Sequence, residues 1–289
     1  MIFNTPPANS SPQARTKRRD NPFRSLIALK HLNMLHKSNC PTIAFWEIFA
    51  GLGMLTQAMR RVGWTCIQPI EAYAKGIYNR EHDVLNSSVG LMIRNVILMC
   101  TFICVHIGMP CASWSRLNVN LNGGTRTAIN PWGDGSLDRE LLGNRLAKFT
   151  IQLCHTISQS GGWWSIENPA SSLFWYTKEV AKLKLLPGVH LVDLDQCQYG
   201  LRFPDCKPNE YVEKHTFILT NAPLHNLARR CEQKHAHIHC IGSVHTKHGW
   251  QKRSALAGHY PLKLCERWAS ELTAHIMQES PFAAALGSR

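Results

Sequence analysis

A cysteine that directly follows an apolar stretch is the first side chain in this sequence that could do covalent chemistry. Residues 101–107 are rich in β-branched and aromatic side chains, which predicts a buried strand. Gly108 permits a close turn at the strand end, and Pro110 restricts the backbone just before Cys111. Ligands of open α/β sheets bind beyond the carboxyl ends of strands, so a thiol there is placed to act as a nucleophile. A single cysteine is more often a buried packing residue, so the prediction depends on its neighbours.

A carboxylate follows a second predicted strand. Residues 162–166 form an apolar run that ends in Glu167 and Asn168. An acid at this position can serve as a helix cap, or it can face the same crevice as Cys111. We expect Cys111 and Glu167 to lie at the carboxyl ends of neighbouring strands, within reach of one substrate.

A glycine turn near the start of the predicted core is typical of a nucleotide or cofactor site. The near-continuous apolar strand at residues 42–49 runs into Gly51 and Gly53, and a helix is predicted to follow. Glycines let a ligand approach the backbone, and the free N–H groups at a helix start can receive it. The next predicted strand, at residues 65–70, ends on Glu71, about 20 residues beyond the turn, where a carboxylate can bond ribose hydroxyls.

Alternating strand and helix patterns predict an α/β fold, with a mixed sheet and helices on both faces. The predicted strands cover residues 42–49, 65–70, 82–85, 101–107, 162–166, 190–197 and 215–221. The predicted helices cover residues 54–62, 88–99, a segment starting at 138, 171–184 and 261–278. The polar, glycine-rich residues 116–138 are predicted to form a long loop beside Cys111, a length that is usually functional or disordered.

The charge of the chain predicts an anionic partner. The 289 residues carry a formal net charge of +13, which favours nucleic acid and leaves an anionic membrane surface as the alternative. No membrane crossing is expected, because the longest uncharged apolar piece, residues 96–109, is shorter than the roughly 20 residues a span needs. The odd number of cysteines, 11, in a long chain without a signal peptide favours a reducing compartment.

Composition divides the chain into five predicted segments. Residues 1–40 are predicted to form a disordered basic arm, whose cluster at Arg15, Lys17, Arg18 and Arg19 is interpreted as a nuclear address or a phosphate-binding tail. A solvated tail, or a cut from a longer polyprotein, is the alternative. The segments that follow are a catalytic α/β core at 41–221, a small Cys/His-rich basic recognition region at 222–253, a helix returning to the core at 254–278 and a tail at 279–289.

The recognition region, residues 222–253, allows two interpretations. Its cations include Arg229, Arg230 and Lys234, and we predict that they contact phosphate groups. A zinc site with Cys231, His237 and Cys240 among its ligands is an alternative, but the spacing fits no standard zinc finger. No metal ligand is therefore assigned.

Taken in order, these motifs resemble those of the cytosine carbon-5 DNA methyltransferases over roughly residues 43–275. The closest resemblance is to a divergent branch found in retroelements and in the genomes of algae and other protists. The segments that carry it are Glu47-Ile48-Phe49-Ala50-Gly51-Leu52-Gly53, Met109-Pro110-Cys111-Ala112-Ser113-Trp114-Ser115-Arg116, Glu167-Asn168-Pro169, Gln196-Cys197-Gln198-Tyr199-Gly200 and Ala257-Gly258-His259-Tyr260-Pro261. Met54 and Ala112 depart from the family pattern, and the family's Gln-x-Arg-x-Arg motif is not recognisable.

The resemblance implies a Rossmann-like, S-adenosylmethionine-dependent methyltransferase with a small C-terminal target-recognition-like insertion. It implies that Cys111 attacks carbon 6 of cytosine. Because the thiolate is the reactive form, nearby positive charge must lower the pKa of the thiol, and Arg116 is the cation that the sequence suggests. The resemblance also implies that Glu167 and Asn168 hold the base. The implied cofactor-binding residues are Phe49, Gly51, Gly53, Glu71 on the ribose and Asp83 near the adenine.

The partner implied by the resemblance is double-stranded DNA, bound by a monomer in the nucleus. Two alternatives remain open on the sequence. The same fold and cysteine chemistry also serve methylation of tRNA, so an RNA substrate is possible. The chain could also be a catalytically decayed nucleic-acid-binding module from a mobile element, although Cys111 and Glu167 are both intact.

Overall fold

A six-stranded mixed sheet forms the centre of the protein. The computed structural model describes residues 43–74 and 76–279. The sheet has the strand order β2-β1-β5-β6-β9-β7. Its members are β1 (Ile43–Ile48), β2 (Thr65–Cys66), β5 (Phe102–Ile107), β6 (Trp163–Pro169), β7 (His190–Asp195) and β9 (His215–Thr220).

One strand of this sheet runs against the others. β1, β2, β5 and β6 pair in parallel, whereas β9 pairs antiparallel with both β6 and β7. The start of β9 therefore lies at the same edge of the sheet as the carboxyl ends of β5 and β6. This edge collects the residues of the candidate site.

Helices cover both faces of the sheet, as predicted. One core packs the apolar side chains of β1 and β5 against the helices Ser87–Met99, Asp138–Gln159 and Lys178–Leu183, and the other packs the opposite face of the sheet against the helices Met54–Arg61 and Leu262–Glu279. Residues that alternate along a strand point to opposite faces, so each central strand contributes to both cores. The helices are α1 (Met54–Arg61), α2 (Ser87–Met99), α3 (Arg116–Leu121), α4 (Asp138–Gln159), α5 (Lys178–Leu183), α6 (Arg253–Leu256) and α7 (Leu262–Glu279).

Small two-stranded sheets occupy the periphery. β8 (Glu210–Val212) pairs in parallel with β10 (Ala236–Ile238), and β11 (Ser243–Thr246) forms a hairpin with β12 (Gly249–Lys252). Residues 222–253 thus contain β10 and this hairpin. Their first part belongs to the main core, because Leu224 and Leu227 are fully buried there.

The segment between β1 and α2 differs from the prediction. The strand expected at 65–70 is reduced to β2 and a single bridge between Ile48 and Ile70, because Pro69 lacks the N–H that a continuous ladder needs. No strand forms at residues 82–85, all of which the structure describes. A short hairpin of β3 (Tyr73–Ala74) and β4 (Ile77–Tyr78) is followed by a 3-10 turn at Arg80–His82.

Two further expectations are corrected in part. Residues 116–138, predicted to be a loop, begin with helix α3, and residues 171–184 contain a 3-10 turn at Leu173–Tyr176 before the shorter α5. The basic arm at 1–40 and the tail from 280 lie outside the described residues. Among the described helices, none combines the length and the apolar character that crossing a membrane requires.

Candidate active site

A single cleft at the carboxyl edge of the sheet brings together residues predicted for two different tasks. Phe49, Gly51 and Glu71 of the predicted cofactor site line it together with Cys111 and Glu167 of the predicted catalytic site. Its volume is about 180 Å³. The other lining residues are Ala50, Leu52, Met54, Gly108, Met109, Pro110, Pro169, Lys214, Gly258, His259 and Tyr260.

The glycine turn after β1 has an unusual backbone conformation and is hydrogen-bonded to Glu71. Phe49 (φ 58°), Gly51 (φ 53°) and Gly53 (φ 64°) all adopt the left-handed region, and only the glycines do so without strain. The Gly51 N–H donates to Glu71 Oε2 (2.9 Å), and the Tyr73 N–H donates to Glu71 Oε1 (3.0 Å). The carboxylate is thereby fixed at the cleft, and each oxygen keeps a further lone pair for a ligand hydroxyl.

A buried acid fixes the helix that follows the glycine turn. Glu47 Oε2 accepts hydrogen bonds from the backbone N–H (2.8 Å) and the hydroxyl (2.6 Å) of Thr56, in the first turn of α1. Burial raises the pKa of the Glu47 carboxyl to about 7, although both Thr56 hydrogen bonds oppose the shift. The acid ties β1 to α1 and so sets the direction of the turn between them.

The turn that carries the predicted nucleophile (residues 108–111, the nucleophile turn) packs tightly against the glycine turn. The Gly108 N–H donates to the carbonyl of Ile48 (3.0 Å), and a Cβ at Gly108 would lie only 2.9 Å from the carbonyl oxygen of Phe49. A larger residue at Gly108 would therefore push the two turns apart. Asn168 joins the turn to β6 from the other side, because its Nδ2 donates to the carbonyl of Met109 (2.9 Å).

The segment after Cys111 is braced by a buried cation. Trp114, fully buried in the 3-10 turn Ala112–Trp114, lies under the Arg126 guanidinium, whose carbon is 3.5 Å from the ring centroid. Arg126 also donates to the carbonyls of Pro131 (2.7 Å) and Glu140 (2.9 Å). The glycine-rich segment before α4 thus packs behind the nucleophile turn and stabilises it.

The Cys111 thiol is half-buried, and its pKa is raised, first by burial and then by the nearby Glu167 carboxylate. Lys214 is the cation that opposes this shift. Arg116, suggested from the sequence, instead donates to the hydroxyl of Tyr176 (2.7 Å), and its guanidinium lies over that ring. Because the shift is upward, the thiol of the free protein is protonated at neutral pH.

The Glu167 carboxyl group is oriented from two sides. Lys214 Nζ lies 3.3 Å from Glu167 Oε1, and the Tyr260 hydroxyl donates to Oε2 (3.3 Å). Lys214 also donates to the carbonyl of Ala257 (2.9 Å), which ties the start of β9 to the segment before α7. The Glu167 side chain is 9% exposed and the Lys214 side chain 12%, so solvent screens this pair weakly.

A neutral histidine completes a buried chain of hydrogen bonds behind Glu167. His106 is fully buried, and burial lowers its pKa to about 3. Its Nδ1 bonds with Ser165 Oγ (3.0 Å) and its Nε2 with the Tyr260 hydroxyl (2.9 Å). Because Tyr260 donates to Glu167, we assign the imidazole proton to Nε2, with Ser165 donating to Nδ1.

Three of the predicted site residues do not line the cleft. Asn168 is fully buried and holds the nucleophile turn in position, and Gly53 is the N-cap residue of α1. Asp83 is occupied elsewhere: its Oδ2 accepts from the Tyr78 hydroxyl (2.7 Å), and its Oδ1 accepts from the Leu85 N–H (3.0 Å). Its assignment to an adenine remains a prediction.

Lys214, Tyr260 and His106 were not assigned to the site from the sequence. Tyr260 lies in a segment that carries part of the resemblance, and Lys214 immediately precedes a predicted strand. The signal that could have found Lys214 is its position, because an antiparallel neighbour of β6 must begin at the edge where β6 ends. His106 could not have been distinguished from a packing residue.

A second and larger cavity, of about 630 Å³, shares His259 and Tyr260 with the first. Aromatic and cationic side chains line it, among them Tyr199, Arg202, Phe203, Tyr211 and Lys263. The Arg202 guanidinium lies over the ring of Tyr211, with its carbon 5.4 Å from the centroid. Flat rings and fixed cations suit the bases and phosphates of a nucleic acid.

Comparison with known proteins adds no family assignment to this geometry. No protein-family model matches the chain, and no curated protein sequence matches it. The fold itself is compatible with a Rossmann-like α/β architecture, with the residues of the cleft at the carboxyl edge of its sheet.

Proposed function

We propose that the protein is an S-adenosylmethionine-dependent methyltransferase that methylates carbon 5 of cytosine in DNA through a covalent bond to Cys111. One observation carries the proposal: Glu71 and the glycine turn share a single cleft with Cys111 and Glu167, although these residues come from four distant segments. A cofactor held by the first pair would meet a base held by the second.

The glycine turn and Glu71 fit the proposed cofactor. The backbone at Gly51 has open space around it, and the Glu71 carboxylate, fixed by two backbone N–H groups, can accept from the two ribose hydroxyls. S-adenosylmethionine supplies an electrophilic methyl group when it is bound there. Phe49 offers an aromatic ring at the same turn.

The proposed role of Cys111 is to activate a carbon that is a poor nucleophile. The Cys111 thiol loses its proton to solvent, and Sγ adds to carbon 6 of cytosine, so that the displaced π electrons make carbon 5 nucleophilic. Carbon 5 then takes the methyl group, whose bond to the cofactor sulfur breaks with the electron pair left on that sulfur, and carbon 5 afterwards loses its proton to a water molecule. The C–H electron pair restores the carbon 5–carbon 6 double bond, and the carbon 6–sulfur pair returns to Sγ.

Glu167 is the proposed acid at ring nitrogen 3. In its neutral form the carboxyl group donates a hydrogen bond to that nitrogen and relieves the negative charge that develops when Cys111 adds. The Tyr260 hydroxyl and Lys214 hold the carboxyl group in one orientation. The Glu167 carboxylate also raises the pKa of the Cys111 thiol, so the charges of the two groups are linked.

The decisive experiment measures methyl transfer and its sequence context. Purified full-length protein is incubated with radiolabelled S-adenosylmethionine and either duplex DNA or tRNA, and DNA from a host expressing the chain is sequenced after bisulfite treatment. We expect label on duplex DNA at carbon 5 of cytosine. If only tRNA is labelled, the substrate is RNA and not DNA. If the cofactor binds but no substrate is labelled, the chain is a catalytically decayed nucleic-acid-binding module.

Cofactor binding should depend on Glu71. Replacing Glu71 by alanine removes the carboxylate acceptor for the ribose, so we expect calorimetry to show S-adenosylmethionine binding weakened by about 1–3 kcal/mol. The matched control is Glu81→Ala, because Glu81 is an exposed acid outside the cleft. An unchanged affinity in Glu71→Ala would mean that this carboxylate orders the glycine turn but does not bind the cofactor. Asp83→Asn in the same assay tests the second predicted acid.

DNA binding should be salt-sensitive through the β11–β12 hairpin. Arg230, predicted from the sequence to contact phosphate, already pairs with Asp193 (2.6 Å) and Asp195 (3.0 Å), so it is a poor probe. Lys247 and Lys252 of the hairpin are exposed, and Trp250 beside them is 75% exposed.

We expect Lys247→Ala together with Lys252→Ala to reduce the slope of log binding constant against log salt concentration by about 2, because each phosphate contact contributes about 1. Fluorescence anisotropy with duplex DNA at several salt concentrations measures this slope. The control is the pair Lys182→Ala and Lys184→Ala, which removes the same charge from exposed residues in and beside α5. Equal slopes for the two double variants would place the DNA contacts elsewhere.

A further inference from the structure

Sulfur and nitrogen donors from two distant parts of the chain converge beside the main sheet. The candidate ligand atoms of this group all lie within 4.8 Å of one another, and it is the one group of this kind among the described residues. We propose that four side chains hold a structural zinc ion: Cys197, Cys231, His235 and His237. The site lies outside the cleft and does not depend on the proposed methyltransferase activity.

The donor set and its dimensions suit tetrahedral zinc. Zinc takes thiolate sulfur at about 2.3 Å and imidazole nitrogen at about 2.0–2.1 Å, which separates a sulfur from a nitrogen ligand by roughly 3.6 Å. Cys231 Sγ lies 3.6 Å from Nε2 of His235 and 3.6 Å from Nε2 of His237. A donor pair at the 4.8 Å limit would have to approach by about 1 Å when zinc binds. Four protein ligands leave no open position, which is typical of a structural ion.

Different elements of the fold position Cys197, Cys231 and His237. Cys197 is buried in the 3-10 turn Gln196–Tyr199 that follows β7, whereas His237 is fixed by the pairing of β10 with β8. The Cys231 N–H donates to Asp195 Oδ2 (2.7 Å) at the end of β7. The donors therefore meet because the sheet and the peripheral strands bring them together.

The backbone next to Cys231 also directs a hydrogen bond at its sulfur. The Gln233 N–H donates to Cys231 Sγ (3.3 Å), and Gln233 adopts a left-handed conformation (φ 58°) that a non-glycine residue seldom takes. An N–H group that points at a sulfur stabilises negative charge on it, and hydrogen bonds to ligand atoms tune metal affinity. A strained turn that delivers such a bond is consistent with a ligand position.

The assignment differs from the one considered on the sequence. Cys240, adjacent in sequence to the other donors, lies outside the group, and its Sγ donates to the carbonyl of Glu213 (3.6 Å). The ligand in its place is Cys197, which lies more than 30 residues earlier in the chain than the other three. A site of this composition ties the segment 231–237 to the end of β7, so that part of the recognition region would be fastened to the core by the ion.

The test begins with the wild-type protein. Full-length chain is purified under reducing conditions without chelator, and its metal content is measured by mass spectrometry. We expect one zinc ion per chain. After removal of the metal, titration with cobalt should give the visible absorption of tetrahedral cobalt and a near-ultraviolet thiolate-to-cobalt band. A preparation with substoichiometric zinc that also gives no thiolate-to-cobalt band would overturn the proposal. A Cys197–Cys231 disulfide that persists under the reducing conditions of the purification would overturn it as well.

Matched variants then identify the ligands. Cys231→Ala and His237→Ala should weaken metal binding on the order of 100-fold or more, since even outer-sphere changes cost 10–100-fold. Cys240→Ala and His239→Ala remove the same side chains a few residues away and should keep one zinc ion. His237→Cys preserves a ligand and guards against misfolding of the alanine variants, so it should retain the metal with a stronger thiolate-to-cobalt band. Equal losses in the control and ligand variants would overturn the assignment.

Discussion

Replacing Cys111 by alanine is expected to abolish methyl transfer and to leave cofactor binding intact. The methylation rate should fall by roughly 10⁴-fold or more, because no other thiol among the described residues lines the cleft. Duplex DNA that contains 5-fluorocytosine should trap the wild-type protein in the presence of S-adenosylmethionine, since fluorine cannot leave as the proton does. The trapped complex is detected by denaturing electrophoresis, and Cys111→Ala should form none.

The control for this experiment is Cys100→Ala, which removes another half-buried thiol at the end of α2. It should retain both methylation and the trapped complex. Calorimetry with S-adenosylmethionine should give similar affinities for the wild type and for both variants. A complex that persists in Cys111→Ala would assign the nucleophile to another cysteine. A wild type that is never trapped would leave Cys111 as a packing residue.

Replacing Glu167 by glutamine is expected to have the second largest effect. The amide has nearly the same shape but cannot pass a proton to ring nitrogen 3, so methylation should slow by about 10²–10⁴-fold, the range typical of a general acid. Single-turnover assays with radiolabelled cofactor measure this rate. Binding of the target base should suffer less, because the amide can still form hydrogen bonds.

A second measurement separates this role from simple damage to the cleft. The Glu167 carboxylate raises the pKa of the Cys111 thiol, so Glu167→Gln should lower that pKa and speed alkylation of Cys111 by iodoacetamide at neutral pH. Lys214→Met should do the opposite, because Lys214 lowers the same pKa. Glutamine would thus slow methylation while it makes the thiol more reactive. Slower alkylation in Glu167→Gln would contradict the proposed electrostatic link.

The parts of the fold that could be predicted are those encoded locally. β1, β5 and β6 are buried on both faces and therefore form nearly continuous apolar runs in the sequence. Their order along the chain and the helices between them predict a largely parallel sheet. The meeting of Cys111 with Glu167 follows from this, because both come directly after strands that prove to be parallel neighbours.

The parts that could not be predicted depend on contacts between distant segments. Tyr260 reaches Glu167 across 93 positions of sequence, and Cys197 joins Cys231 because β7 ends near the strand pair β8–β10. Nothing in the local sequence distinguishes such residues from surface or packing positions. The strand predicted at residues 65–70 was wrong for a local reason. The hydrophobic pattern does not show that Pro69 lacks the backbone N–H that a continuous strand needs.

The position of β9 has a consequence for the order in which the protein can assemble during synthesis. β9 lies between β6 and β7 in the sheet, although it leaves the ribosome after both. β7 therefore has no edge to join until β9 has been made, and the two must add to the growing sheet together. Lys214 and Tyr260 arrive with or after this step. The cleft is thus completed late, by contacts of large sequence separation, which makes its closure a slow stage of folding.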